Sequence, residues 1–314
     1  MRVVYFGTPE YALATLDRLL AGPHELAAVV SQPDRRRGRG RALQPSPVSE
    51  RALECGLPLL RPESVGEADA ETWLRARKPE IGVVVAFGQF LPRRIRELPA
   101  RGYLINAHAS LLPRHRGAAP IQRAILAGDS ETGVSVMRVE REMDAGAVAL
   151  TGRVPIDDTS EGGELSLRLA ALSAQLIAET LAQIARGEEH WTPQDPAAAT
   201  QAPKLGPDDF RIDWRQAAPV ITRQVRALAP SPGAHTLHAG ERLRVLAASS
   251  EPGPAPGPAG RVSYAPGEPL RVSTGEGWLL PRIVQRTGGK VLDIDAYLRG
   301  RPMAAASVLG EEPS

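Results

Sequence analysis

The sequence predicts an α/β fold: a doubly wound, mostly parallel sheet followed by a small, mostly β second domain. Three observations lead there. Short apolar runs alternate with segments of helical period from residue 1 to about 185. One of those runs, residues 81–87 (IGVVVAF), is apolar on both faces, as strands of a covered parallel sheet are. The last hundred or so residues are instead short β-like runs cut by Gly/Pro turns.

Residues 2–6 (RVVYF) read as a buried strand. Gly7-Thr8-Pro9-Glu10 then turns the chain into a helix over 10–20, with proline at an early helical position. Residues 26–30 form a second strand. The stretch 31–47 holds Pro33, Gly38, Gly40, Pro45 and Pro47, which excludes a helix or a central strand and leaves a long loop. A short helix over 47–55, a brief strand over 57–60, a helix over 68–76 and the strand 81–87 follow. Residues 103–108 (YLINAH) are the next strand, and 118–126 the next helix. Two more strands, 133–139 and 147–155, precede a long amphipathic helix over 164–186.

Residues 1–188 therefore read as one domain, and the Pro-, Ala- and Thr-rich stretch 189–207 (with TPQDPAAATQAP) as a linker. In 208–314 a helix over 217–229 is followed by strands at 243–247, 260–264, 270–273 and 277–283. Residues 249–260 (SSEPGPAPGPAG) read as a mobile loop. This second domain is expected to be a small barrel of the oligonucleotide-binding (OB-like) kind.

Composition narrows the class. A length of 314 residues suits about two domains, and 42% hydrophobic with 24% charged residues is ordinary for a globular chain. The longest strongly apolar run, 81–87, is far short of a bilayer span, and the apolar run 3–6 is too short for a signal-peptide core. A single cysteine, Cys55, excludes intrachain disulfides and multi-cysteine zinc sites, and it reads as an ordinary buried thiol. The expectation is a cytoplasmic protein with no membrane partner. With no coiled-coil heptads, it is also expected to be a monomer.

The net charge of +2 does not announce a nucleic-acid binder, and only three of the 38 basic residues are lysine. Location says more. Arg35, Arg36, Arg37, Arg39 and Arg41 crowd into the loop 31–47 against one acid, Asp34. Guanidinium forks on a Gly-hinged loop suit contacts to a phosphate backbone, although a solvated loop with a chance arginine run reads the same on charge alone.

Other motifs fail. A dinucleotide fingerprint needs glycine where Leu43 stands, and a phosphate-binding loop fails at Gly288-Gly289-Lys290 because Val291 replaces Ser/Thr. His235 and His238 lack cysteine or organised acids around them, and there is no G-x-S-x-G elbow. Nothing in the sequence requires a metal.

The strand 103–108 carries the one arrangement with clear chemistry. Asn106 and His108 at i, i+2 share a face. At the carboxyl end of a parallel strand they would look into the ligand crevice. An amide beside an imidazole can bind a carbonyl whose oxygen becomes anionic in acyl transfer. A carboxylate should orient the imidazole. Asp144, in the turn Glu142-Met143-Asp144-Ala145-Gly146, is the best placed, with Glu140 and Glu142 as competitors. On spacing alone, Asn106 as a turn cap and His108 as a satisfied buried histidine explain the pattern equally well.

Beyond these residues, residues 105–137 (INAHASLLPRHRGAAPIQRAILAGDSETGVSVM) resemble the signature of the methionyl-tRNA formyltransferases. So do FGTPEYA at 6–12, QPDRRRGRGRALQPSPV at 32–48, VVVAFGQFLP at 83–92, RIDW at 211–214, the APSPGA stretch and the late GGK and YLRG runs. The resemblance covers essentially the whole chain in order.

It implies a formyltransferase Rossmann-like domain and transfer of a formyl group from 10-formyltetrahydrofolate to the α-amine of methionine on initiator tRNA. Asn106, His108 and Asp144 fall on the family's catalytic triad. Val85, Ala86, Phe87, Gly88 and Gln89 fall on the stretch lining the pterin, and Ser110, Leu111, Leu112 and Pro113 on its folate-contacting segment. The basic loop corresponds to the insertion that engages the acceptor arm, and the second domain to the one holding the tRNA body. His115 stands where the family commonly has tryptophan or another bulky residue, Phe87 where tyrosine is frequent, and AGAV follows in place of a TGD-type run. A formyltransferase acting on a small amine, a silent tRNA-binding protein and a folate-hydrolysing relative are the alternatives.

Overall fold

The structure, a computed structural model, describes residues 1–37, 42–254, 257–264, 268–304 and 307–310. The chain divides into two compact units. One comprises Met1–Pro120, Glu131–Pro155 and Ser166–Pro203; the other comprises Ile121–Ser130, Ile156–Leu165 and Lys204–Ser314.

In the first unit β1 (Arg2–Gly7) leads through a 3-10 turn at Glu10–Ala12 into α1 (Leu13–Leu20), so the helix expected over 10–20 starts one turn late. There follow β2 (Glu25–Val30), β3 (Arg35–Arg37), β4 (Ala42–Gln44), α2 (Pro47–Glu54), β5 (Leu59–Leu60) and α3 (Ala68–Arg75). Next in the chain come β6 (Ile81–Val85), α4 (Arg93–Arg96), β7 (Leu104–His108), α5 (Pro120–Ala127), which from Ile121 on belongs to the second unit, β8 (Glu131–Arg138), β9 (Val148–Pro155) and α6 (Gly162–Arg186), which belongs to the first unit from Ser166 on.

Seven strands make one sheet in the order β5-β2-β1-β6-β7-β8-β9. Pairing is parallel from β5 to β7 and antiparallel at β7–β8 and β8–β9. All five residues of β6 are buried, which is why its run carries no alternation. Burying each such aliphatic side chain contributes about 1.5–3 kcal/mol, enough to commit this strand to the middle of the sheet. The strand stops at Val85 rather than Phe87 because Ala86 turns into the left-handed region at φ 46°.

Two readings need correction here. The basic loop contains strand structure, an antiparallel hairpin of β3 on β4 that joins no other strand among the described residues. Its base is closed by buried hydroxyls: Ser31 Oγ to Ser46 Oγ at 2.6 Å, with Ser46 also capping α2 by accepting from Ser49 N. Cys55 is exposed at the end of α2, not buried, because the helix stops there and Gly56 turns away at φ 65°.

The helix α6 is long and apolar enough by length and composition to cross a membrane, with half of its most apolar stretch buried in the protein. The stretch read as a linker carries specific pairing within the first unit. Thr192 and Val148 exchange backbone hydrogen bonds, Arg116 pairs with Gln201, and Ala202 N donates to Arg116 O at 2.6 Å.

The second unit includes α7 (Pro207–Phe210), α8 (Ala218–Leu228), β10 (Ala234–His238), β11 (Glu241–Glu251), β12 (Val262–Ser263), β13 (Arg271–Ser273), β14 (Trp278–Arg286), β15 (Val291–Asp293) and α9 (Ile294–Gly300). Its antiparallel sheet runs β10-β11-β14-β13-β12, with β15 on β14. Trp214, Ile221, Val225, Leu228, Val245 and Leu279 belong to its core. The stretch 249–260, read as a loop, begins as strand: Ser249, Ser250 and Glu251 pair with Leu280, Leu279 and Trp278, since β11 itself meets no proline before Pro252; residues 255 and 256 lie outside the described residues.

Candidate active site

The left-handed backbone marks the place. Among the described residues five non-glycine positions have positive φ. Three of these are Ala86 (46°) just past β6, His115 (57°) in the segment after β7, and Asp144 (54°) between β8 and β9. A residue with a Cβ adopts this conformation only where its surroundings impose it, and such positions gather at functional sites.

Asn106 and His108 share one face of β7, opposite Met137 and Ser135 of β8. β7 is the last parallel strand, so His108 stands at its carboxyl end, where the neighbouring β8 runs the other way. His108 is 7% exposed. Its Nε2 donates to the carbonyl of His115 at 2.9 Å, and its Nδ1 lies 3.5 Å from Asp144 Oδ2. The same Oδ2 accepts from Gly117 N at 2.9 Å. Asn106 is half-buried and makes no side-chain hydrogen bond among the described residues, which leaves its amide for a ligand.

The competing acids turn elsewhere. Glu142 faces Arg116 at 3.4 Å with an exposed side chain, and Glu140 approaches Arg96 at 3.9 Å. Of the three carboxylates, only Asp144 reaches the imidazole.

The stretch expected to line a pterin divides by side chain. Val85 and Phe87 are buried in the core, Phe87 packing edge-on against Phe6 at 5.5 Å. Gln89 accepts from Val65 N and donates to Pro62 O, fixing a neighbouring loop. Exposed Ala86 and Gly88 leave backbone for a ligand. Thr8 Oγ1 and Gln32 Nε2 hold the Phe87 carbonyl at 2.9 and 3.0 Å.

Ser110 is fully buried and donates to Arg114 O at 2.6 Å, while Ser135 Oγ donates to Ser110 O and accepts from Leu112 N. Leu111, Leu112 and Pro113 are half-buried. Ser110 therefore shapes the turn, and the three residues after it offer surface.

Of the arginines, Arg35 and Arg36 are exposed on β3, and Asp34 at its foot takes a two-pronged contact from Arg61 at 2.7 and 2.8 Å. Arg37 closes β3 by its backbone pairing with Ala42. Arg39 and Arg41 lie outside the described residues.

Sequence reasoning missed Arg116, Gly117 and Gln194. Arg116 is buried and gives Gln194 Oε1 two hydrogen bonds, while Gln194 Nε2 donates to the carbonyls of Asp144 and Gly146. The one available signal was the RG pair eight and nine residues beyond His108.

Comparison with known proteins gives the family. A formyl transferase family model matches residues 1–181, and a formyl transferase C-terminal domain model matches 204–302. The methionyl-tRNA formyltransferase of Moorella thermoacetica is 46% identical over 310 residues, covering 99% of each chain. The chain belongs to the methionyl-tRNA formyltransferase family. It is a formyltransferase, with the formyl transferase and C-terminal-domain matches together spanning most of its length. The Pseudomonas paraeruginosa member is likewise 46% identical, over 313 residues, covering 99% of this chain and all of that one. Among solved structures, an N-formyltransferase from Helicobacter canadensis in complex with folinic acid and dTDP-3-aminofucose has a TM-score of 0.64 at 14% identity. It covers 90% of this chain and 99% of its own, a likeness of fold.

Proposed function

We propose that the enzyme moves the formyl group of 10-formyltetrahydrofolate to the α-amine of methionine on initiator tRNA, giving the N-formylated aminoacyl-tRNA used to start translation. The observation that carries the reaction type is the half-buried amide of Asn106, without a side-chain hydrogen bond among the described residues, on the same strand face as His108 of the His108–Asp144 pair.

The folate supplies a formyl carbon already bonded to nitrogen, an electrophile that an amine attacks directly, so the protein needs no nucleophile of its own. Asn106 donates to the formyl oxygen as negative charge gathers on it. His108 reaches the same oxygen by exchanging the His115 carbonyl for it at Nε2. Asp144 holds the imidazole through Nδ1 and, directly or through water, takes the proton that the amine nitrogen sheds as its lone pair adds to the formyl carbon. The new C–N bond forms at the methionine amine, the bond to the folate nitrogen breaks, and that nitrogen recovers a proton.

The residues fit such a donor. The exposed backbone of Ala86 and Gly88 and the segment Leu111, Leu112 and Pro113 would contact it, with Val85, Phe87, Gln89 and Ser110 as supports. Arg35, Arg36, Arg37, Arg39 and Arg41 would meet the acceptor arm, and the C-terminal domain the tRNA body. We place the enzyme in the cytoplasm, acting as a monomer.

The test is transfer of radiolabelled formyl from 10-formyltetrahydrofolate to charged initiator tRNA, beside charged elongator tRNA and a small amine. Labelling of the initiator alone supports the proposal. Labelling of the small amine instead overturns it in favour of a small-molecule formyltransferase.

A further inference from the structure

We infer that Gln194 is a positioning residue that sets the reach of the Asp144 carboxylate, an inference resting on the formyl-transfer reading above. Gln194 sits in the Pro-, Ala- and Thr-rich run that reads as a bare connection, yet both ends of its amide are engaged. Oε1 accepts from Arg116 Nε at 3.1 Å and Nη2 at 2.8 Å. Nε2 donates to the carbonyls of Asp144 and Gly146, each at 2.8 Å. These partners fix the amide's orientation. Turned over, it would set N–H groups against a guanidinium and an oxygen against two carbonyl oxygens.

The two carbonyls fix the second half of the turn, from Asp144 itself to Gly146, and that turn is not self-sustaining. Asp144 has a left-handed backbone, and a Cβ on Gly146 would lie 1.9 Å from Arg138 O. A conformation of this kind persists where outside groups over-determine it. Two do so from one dipeptide. Gly117 N holds the carboxylate oxygen that faces His108, and Arg116 anchors the glutamine holding the backbone carbonyls of Asp144 and Gly146. Gln194 lies away from the reacting atoms and acts through Asp144.

Steady-state kinetics on the full-length chain, with 10-formyltetrahydrofolate and charged initiator tRNA, test this alongside thermal unfolding. Gln194→Ala should lower kcat about tenfold or more, with KM for both substrates within about twofold of wild type. Gln194→Glu keeps an acceptor for Arg116 but faces two carbonyls with a carboxylate. It should lose at least as much kcat, and it carries the test should the alanine variant not fold. In an Asp144→Asn background, Gln194→Ala should cost less than about twofold more, because the group it positions is already gone. Undiminished kcat in both Gln194 variants overturns the inference, as does a loss of equal size with and without the Asp144 carboxylate. Wild-type activity unaffected by Asp144→Asn alone removes it through Asp144. Failure of the wild type to formylate the tRNA strikes instead at the reaction proposed above.

Discussion

His108 and Asp144, 36 positions apart in the chain, stand with Nδ1 and Oδ2 3.5 Å from one another, and the same carboxylate oxygen is held by Gly117 N. The pair is thus oriented by backbone before any substrate arrives. Asn106→Ala should lower kcat by about 10²–10³, the usual cost of one oxyanion donor, with an unchanged melting temperature. His108→Ala should fall in rate by a similar factor. Turnover near that of the wild type in either variant would remove that residue from the mechanism.

Gly146 carries a steric prediction. With its Cβ position 1.9 Å from the Arg138 carbonyl, Gly146→Ala must displace backbone on which Asp144 depends. We expect a loss of about 1–3 kcal/mol in urea unfolding, together with a fall in kcat. A variant as stable and as fast as wild type would show that the turn yields without consequence.

In the basic stretch 31–47, Arg35→Ala and Arg39→Ala should each weaken binding of initiator tRNA. Removing one arginine–phosphate pair should flatten the plot of log K against log salt by about 0.7–0.9. The formylation rate at saturating tRNA should stay the same. An unchanged slope would take the stretch out of the interface.

Asp157 sets a pH dependence of stability. Hydrogen bonds from Thr159, chiefly its side chain, and from Ser160 bring its carboxyl down to about 2. A folded-state value below the unfolded one, about 3.9, means stability present above that range and lost as pH falls toward 2. The deficit of Asp157→Asn relative to wild type should therefore be full at pH 6 and shrink at pH 2.5. Urea midpoints at the two pH values check this, and an equal deficit at both would refute it.

Much of the first unit was legible because its central strands are buried on both faces, leaving unbroken apolar runs such as 81–85, and because the polar pair Asn106 and His108 breaks one such run at its end. The second unit was harder. β10, with His235 and His238 among its five residues, gives no apolar run, and α9 is only seven residues long. The support beneath the site was invisible for another reason. Gln194 meets Arg116 across 78 residues and Asp144 across 50, and composition around it points to a connector. Local pattern reports burial and period. It does not report which distant carbonyl a side chain will meet. Phe87 shows the converse: the resemblance put it in a stretch expected to line a pterin, but did not tell that its ring turns inward to Phe6.

The closure of the hairpin at Ser31 and Ser46 has a consequence for how this chain can vary. The two residues fasten the root of the excursion to the sheet and to α2, and among the described residues β3 and β4 pair only with each other. Closing a loop grows dearer only logarithmically with its length, about 0.6 kcal/mol for each doubling. Whatever lies between the two serines can therefore lengthen, shorten or change composition while the catalytic strand order is untouched. On the proposed reading, in which this stretch meets the tRNA, substrate preference and chemistry can drift independently along one polypeptide, joined at a pair of hydroxyl groups.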